Sequence, residues 1–264
     1  MSLLVLEIFG FLLYTGILIY TWQRLSNSKA LGSPLSSILL ASIIIHGYIV
    51  YLNIDGGEGQ NLGLFNIFAM TTWISMLIVY WNLLKHQAHA LLLISLPIAA
   101  ASLLEVAIFD SSPAREINQP GVELWHILLG VSSMSLLMLA AMQSLLVLYI
   151  DNGLRNHPAH IHSWLGPLQS MERYLIQLLS IGFILMSLAL LIGITFPSDA
   201  ESHQSIHKIV LTILSWLVLA TLLIGHYKKG WRGVFAAKWT LVGVFLLLLG
   251  YFGSKLVLEF FLQP

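Results

Sequence analysis

The chain has 264 residues, of which 58% are hydrophobic and only 9% charged. An ordinary soluble domain carries about 25% charged residues, so a water-soluble core does not account for this composition. Basic and acidic residues balance at 12 each, which leaves no basic excess for nucleic acid, and the absence of cysteine removes disulfides, thiolate metal ligation and thiol redox chemistry.

A helix needs about 20 mostly apolar residues to cross a hydrocarbon core of about 30 Å, and eight stretches meet that requirement. The first, at 3 to 23, begins without a basic n-region and runs past Tyr20 without an A-x-A-like cleavage site, so it reads as a retained span rather than a signal peptide. Gly32-Ser33-Pro34 introduces the second, at 34 to 52, which carries His46 below its outer end. The segment from Gly57 to Asn66 is polar and glycine-rich before it turns apolar. It reads either as a mouth or partner surface, or as a helix cap supplied by Asn61.

The third and fourth spans fall at 62 to 84 and 89 to 109, and His86 and His89 between them read as solvated or headgroup-contacting side chains. After Asn118-Gln119-Pro120-Gly121 comes the fifth span, at 121 to 150, with His126 near its outer end. The longest connection, 151 to 170, holds His157, His160 and His162 and has the length for a short surface helix. The sixth span, at 171 to 194, stops at Phe196-Pro197-Ser198, and His207 opens the seventh, at 206 to 226. That span ends in Gly225-His226-Tyr227 followed by Lys228, Lys229, Trp231 and Arg232, a tight basic turn suited to phospholipid contact. The eighth runs from 235 to 260 and, like the fifth, is long enough to tilt or project beyond the bilayer. The expectation is an all-α, polytopic membrane protein forming one helical bundle over residues 1–264.

Basic residues orient the spans. With the amino terminus outside, the cytoplasmic side holds Arg24, Lys29, Lys85, Arg155, Arg173, Lys228, Lys229, Arg232 and Lys238, leaving only Arg115, Lys208 and Lys255 outside. Eight spans then put both termini on the extracytoplasmic face.

Ionisable groups within spans are costly and invite a functional reading. His46, His126 and His207 all fall toward the outer ends of their spans, within some 10 Å of depth at about 1.5 Å of rise per residue. Neutral imidazole ligates transition metals and haem iron, and two histidines on facing helices are able to clamp a flat macrocycle. Glu123 stands one turn before His126, where a carboxylate is able to accept the second ring N–H and orient the ligand. Against this stands the plainer role of interfacial histidines, hydrogen bonding between helices. No G-x-S-x-G, H-E-x-x-H or G-x-x-x-x-G-K-[ST] motif is present, so no enzymatic activity is expected.

The His46 span, Gln60-Asn61-Leu62 with Leu64 and Asn66, His126-Ile127-Leu128-Leu129-Gly130, Met171-Glu172-Arg173, His207-Lys208 followed by Trp216, Gly225-His226, Gly230-Trp231-Arg232-Gly233 and Tyr251-Phe252-Gly253-Ser254 together resemble the cytochrome c assembly family, in its HemX-like and YpjD-like inner-membrane branch. The resemblance spans nearly the whole chain. It implies a bacterial inner-membrane protein with a haem site on His46, His126 and His207. Better-studied members present haem outside the membrane on a tryptophan-rich W-W-D loop. Here the outer connections at 53 to 61, 110 to 120 and 195 to 205 contain no Trp, so presentation to an apocytochrome is not expected. The resemblance then implies a carrier or accessory protein binding b-type haem near its outer face. The alternative is a cofactor-free regulatory subunit of another membrane protein such as a transporter. Membrane lipid, another inner-membrane protein and a second copy of the chain are the partners left open; nucleic acid is not among them.

Overall fold

In hydrocarbon no water is available to backbone N–H and C=O groups, so each span must satisfy them within itself, and a helix does so. The computed structural model describes residues 3–27, 34–55, 59–86, 89–109, 120–156, 165–196 and 206–253. It contains 8 helices long and apolar enough to cross a membrane. They are α1 (Leu3–Ser26), α2 (Pro34–Asp55), α3 (Leu64–His86), α4 (His89–Ile108), α5 (Pro120–Asn156), α6 (Leu168–Thr195), α7 (Ile206–Lys229) and α8 (Gly233–Leu248). The polytopic all-α expectation therefore holds, with every expected span occupied by one helix. The main departures are at α5, which continues to Asn156, and at α8, which passes into a π-helical turn at Leu249–Gly253. The remainder of the expected eighth span, with Lys255, lies outside the described residues, as do His157, His160 and His162.

The chain divides into two compact units, one built on α1–α4 and the other on α5–α8. In the first, α1 and α3 each pack against both α2 and α4. One stripe of α1 is buried, Glu7, Gly10, Tyr14, Ile17, Thr21 and Leu25, at the three- and four-residue spacing that keeps side chains on one helical face. Gly10 admits α4: a Cβ there would stand 2.7 Å from Leu103 Cδ1. Between α3 and α4, Thr72 Oγ1 and Ser102 Oγ hydrogen-bond at 2.7 Å, and Phe65 stacks on Phe109 with centroids 4.9 Å apart. Large apolar side chains such as Ile44 and Trp81 remain exposed on the rim, as lipid contact requires.

In the second unit α5 and α6 form a long antiparallel pair, and α8 packs on α5 and α7. Small residues let these backbones approach, since apolar attraction alone does not hold helices together in lipid. A Cβ at Gly182 would lie 3.0 Å from Leu137, and one at Gly243 would run into Leu219. Ser215 Oγ donates across to the Gly243 carbonyl at 2.8 Å. Helix α7 ends at Gly230, whose φ of +70° is the left-handed conformation that glycine adopts at helix ends, and its N–H donates to the His226 carbonyl at 3.0 Å.

Candidate functional site

His46 lies on α2 and is completely enclosed in the first unit. Its Nδ1 is 3.2 Å from the hydroxyl of Tyr14 on α1, and the two rings meet edge-on with centroids 5.6 Å apart. Seven residues along each helix, Asn53 Nδ2 donates to Glu7 Oε1 at 2.9 Å. The α1–α2 seam is thus closed by two polar pairs in one register. Behind the histidine, the Trp73 indole of α3 lies flat against Gly47, where a Cβ would be 2.7 Å from Nε1, and donates to the Ile43 carbonyl at 3.0 Å. These contacts fix the segment of α2 that carries His46. The Ala69 backbone of α3 comes close enough to the ring to act on it as a weak hydrogen-bond acceptor, although the contact falls outside ideal hydrogen-bond geometry. His46 Nε2 is nevertheless buried without a hydrogen-bond partner among the described residues.

His126 lies on α5 in the second unit, half-buried, with Nδ1 2.9 Å from the Ala189 carbonyl of α6. A carbonyl only accepts, so Nδ1 carries a proton. The ring sits in the notch of Gly193, where a Cβ would lie 2.9 Å from Cε1. The acceptor at Nδ1 is therefore a backbone carbonyl on the neighbouring helix; Glu123 lies half-buried one turn earlier on α5. Two further side chains of α5 donate to α6 carbonyls, Ser133 Oγ to Gly182 at 2.8 Å and Gln143 Nε2 to Met171 at 3.2 Å. His126 is the first rung of that ladder.

His207 occupies the first turn of α7; its side chain is outside the described residues. Within each unit, the described His, Asp and Glu side chains form no cluster of three suited to a metal ion. His226 is taken up structurally, with Nδ1 2.6 Å from the Trp231 carbonyl inside the α7–α8 turn. Tyr14, Ala189 and Gly193 were not recognisable as partners from the sequence. The seven-residue spacing of Glu7, Tyr14 and Thr21 along α1 was the available signal for Tyr14.

Fold and composition define a multi-pass, all-α membrane protein. The chain is 30% identical to the inner membrane protein YpjD of Escherichia coli K12 over 240 residues, which cover 89% of this chain and 87% of that one. The protein of the same name from Escherichia coli O157:H7 matches equally. An uncharacterized 28.8 kDa protein of Azospirillum brasilense is 28% identical over 173 residues, covering 62% of this chain and 64% of the relative. No solved structure matches. The family model described as Cytochrome C assembly protein matches residues 5–262. The chain belongs to the cytochrome c assembly protein family and is a multi-pass protein of the bacterial inner membrane, related to proteins that handle haem.

Proposed function

We propose that the protein binds b-type haem near the extracytoplasmic ends of its helices and acts as a haem carrier or accessory protein rather than as an enzyme. The observation that carries this reading is the buried Nε2 of His46, which has no hydrogen-bond partner among the described residues while Nδ1 faces the Tyr14 hydroxyl. With the Nδ1 proton donated to that hydroxyl, Nε2 presents the lone pair that a haem iron takes. His126 likewise carries a proton at Nδ1, toward the Ala189 carbonyl. His46, His126 and His207 are the candidate axial ligands, and Glu123 borders the His126 position. The group would supply one-electron chemistry when bound; these residues would hold and orient it.

A second reading, a cofactor-free subunit that binds and regulates another membrane protein such as a transporter, is favoured by the place of His126 in the α5–α6 ladder, which accounts for that histidine without a ligand. An absorption spectrum of the detergent-purified protein, expressed with adequate haem, separates the two. The haem reading expects a Soret band with sharp reduced α and β bands that is lost in His46→Ala or His126→Ala. A featureless spectrum that persists after haem is added back overturns it and favours the regulatory subunit.

A further inference from the structure

Hydroxyls on membrane helices normally return to a carbonyl one turn back, and here Ser42, Thr71, Ser75 and Ser95 do so at 2.7–2.9 Å. Thr21 does not. Its Oγ1 is buried without a hydrogen-bond partner among the described residues, and so are Asn82 Oδ1 and His89 Nδ1. The Thr21 and Asn82 side chains are only 0% and 5% exposed.

The helix registers bring these three groups to one end of the first unit. Leu103 fills the notch at Gly10, and Thr72 bonds Ser102, so those four residues lie at one level. Thr21 stands about three turns beyond Gly10 and Asn82 about three turns beyond Thr72. Counting back the same distance along antiparallel α4 reaches Leu92 in both cases, less than one turn from His89. Two helices that flank α4 therefore present unsatisfied buried oxygens at one depth, beside an unsatisfied imidazole nitrogen. On the side toward the Tyr14–His46 pair, Ser95 of α4 and Ser42 of α2 fall about one turn farther in, at the level of residue 18 of α1.

We propose that this end of the first unit is an inlet for water, entered at Thr21, Asn82 and His89 and ending beneath the Tyr14–His46 pair. The chemistry selects water. Asn82 Oδ1 offers lone pairs, the Thr21 hydroxyl both donates and accepts, His89 Nδ1 does either according to tautomer, and none carries a formal negative charge, so the site calls for a small neutral molecule that donates and accepts. A buried water characteristically takes about three such partners. These three share one level, and the hydroxyls of Ser42 and Ser95 lie about one turn farther in along the same direction.

The chain contains no cysteine, so single-cysteine variants of the full-length protein report local water access directly. Thiols react as thiolates, which form in water and not in a dry helix interface. Thr21→Cys and Asn82→Cys are reconstituted in liposomes and treated from each face with a membrane-impermeant methanethiosulfonate ammonium reagent. Leu92→Cys, at the same depth and 0% exposed, is the dry control. Labelling of Thr21→Cys and Asn82→Cys at least an order of magnitude faster than Leu92→Cys, from the face at which α1 ends, is the expected result. Equal rates for all three, or labelling from the opposite face only, overturn the inlet. Should Asn82→Cys fail to fold, the nearly isosteric Thr21→Cys decides alone. The outcome does not depend on haem binding.

Discussion

Tyr14 and His46 hold each other in the centre of the first unit, hydroxyl to Nδ1 at 3.2 Å, with no solvent exposure at either side chain. A buried polar atom that loses its partner costs about 1–3 kcal/mol, more than the net value of the bond itself. Tyr14→Phe keeps the ring and removes only the hydroxyl, so it should destabilise the protein by about that amount. Thermal unfolding in detergent, followed by circular dichroism, reads the loss. An unchanged midpoint would show that the imidazole is satisfied elsewhere and that the pair does not organise the seam.

Asn53 extends the argument to a charge. Glu7 is 4% exposed and accepts the Asn53 amide at 2.9 Å. Asn53→Leu would leave a carboxyl in the unit interior without that donor, whereas Glu7→Gln keeps a polar acceptor and removes the charge. Removing one partner of a buried charged contact is the costlier change. Asn53→Leu is therefore expected to lower the unfolding midpoint more than Glu7→Gln, and the reverse order would count against a charged Glu7.

Much of this architecture was legible in the sequence because a bilayer constrains it so strongly. Length and apolarity placed every span, and edges such as Leu3, Pro34, His89 and Ile206 fall at the expected starts. The extension of α5 to Asn156 was less legible, since polar residues beyond the bilayer continue a helix without an apolar signal. Partners were harder still. Glu123 shares a helix with His126 and was visible by spacing, but the Ala189 carbonyl that orients the ring belongs to another helix and has no side-chain signature. Tyr14 is 32 positions from His46, and only packing decides that they meet.

Gly193 offers a test of how closely His126 is held. A methyl at this position would lie 2.9 Å from Cε1 and 3.4 Å from Nδ1, so the ring must leave the notch and its bond to Ala189. Gly130→Ala, also on a membrane helix but with nothing within 4 Å of the added Cβ, is the matched control. Gly193→Ala should lower stability and, where haem is carried on His126, weaken or shift the Soret band. Gly130→Ala should do neither. Equal spectra and midpoints for the two variants would mean that the α6 notch does not position the histidine.

The other rungs of the α5–α6 ladder are expected to matter less. The Gly182 and Met171 carbonyls are backbone groups of α6, to which Ser133 and Gln143 add a second donor. Interhelical hydrogen bonds within membranes average about 0.6 kcal/mol in double-mutant measurements. Ser133→Ala and Gln143→Leu should each shift the unfolding free energy by less than about 1 kcal/mol, measured by denaturation in mixed micelles. A loss several times larger would show that the ladder holds the helix pair together and does more than set its register.

The turn between α7 and α8 carries the sharpest steric prediction. The Trp231 ring packs directly on Gly225, so that any Cβ there would overlap it, while the Trp231 N–H reaches the Gly225 carbonyl at 3.3 Å and its carbonyl receives His226 Nδ1 at 2.6 Å. Backbone and side chain of Trp231 thus converge on one turn of α7, and a substitution at Gly225 cannot be relieved by rotating a flexible side chain. Gly230 differs: its φ is +70°, but nothing lies within 4 Å of an added Cβ. Gly230→Ala should cost only the conformational penalty of a left-handed L-residue, about 1–2 kcal/mol. Gly225→Val should cost more, because the indole must leave and the His226–Trp231 bond is lost with it. Comparing the two unfolding midpoints isolates packing from backbone conformation; if Gly230→Ala proves the more damaging, strain in the turn and not the seat of Trp231 holds α7 against α8.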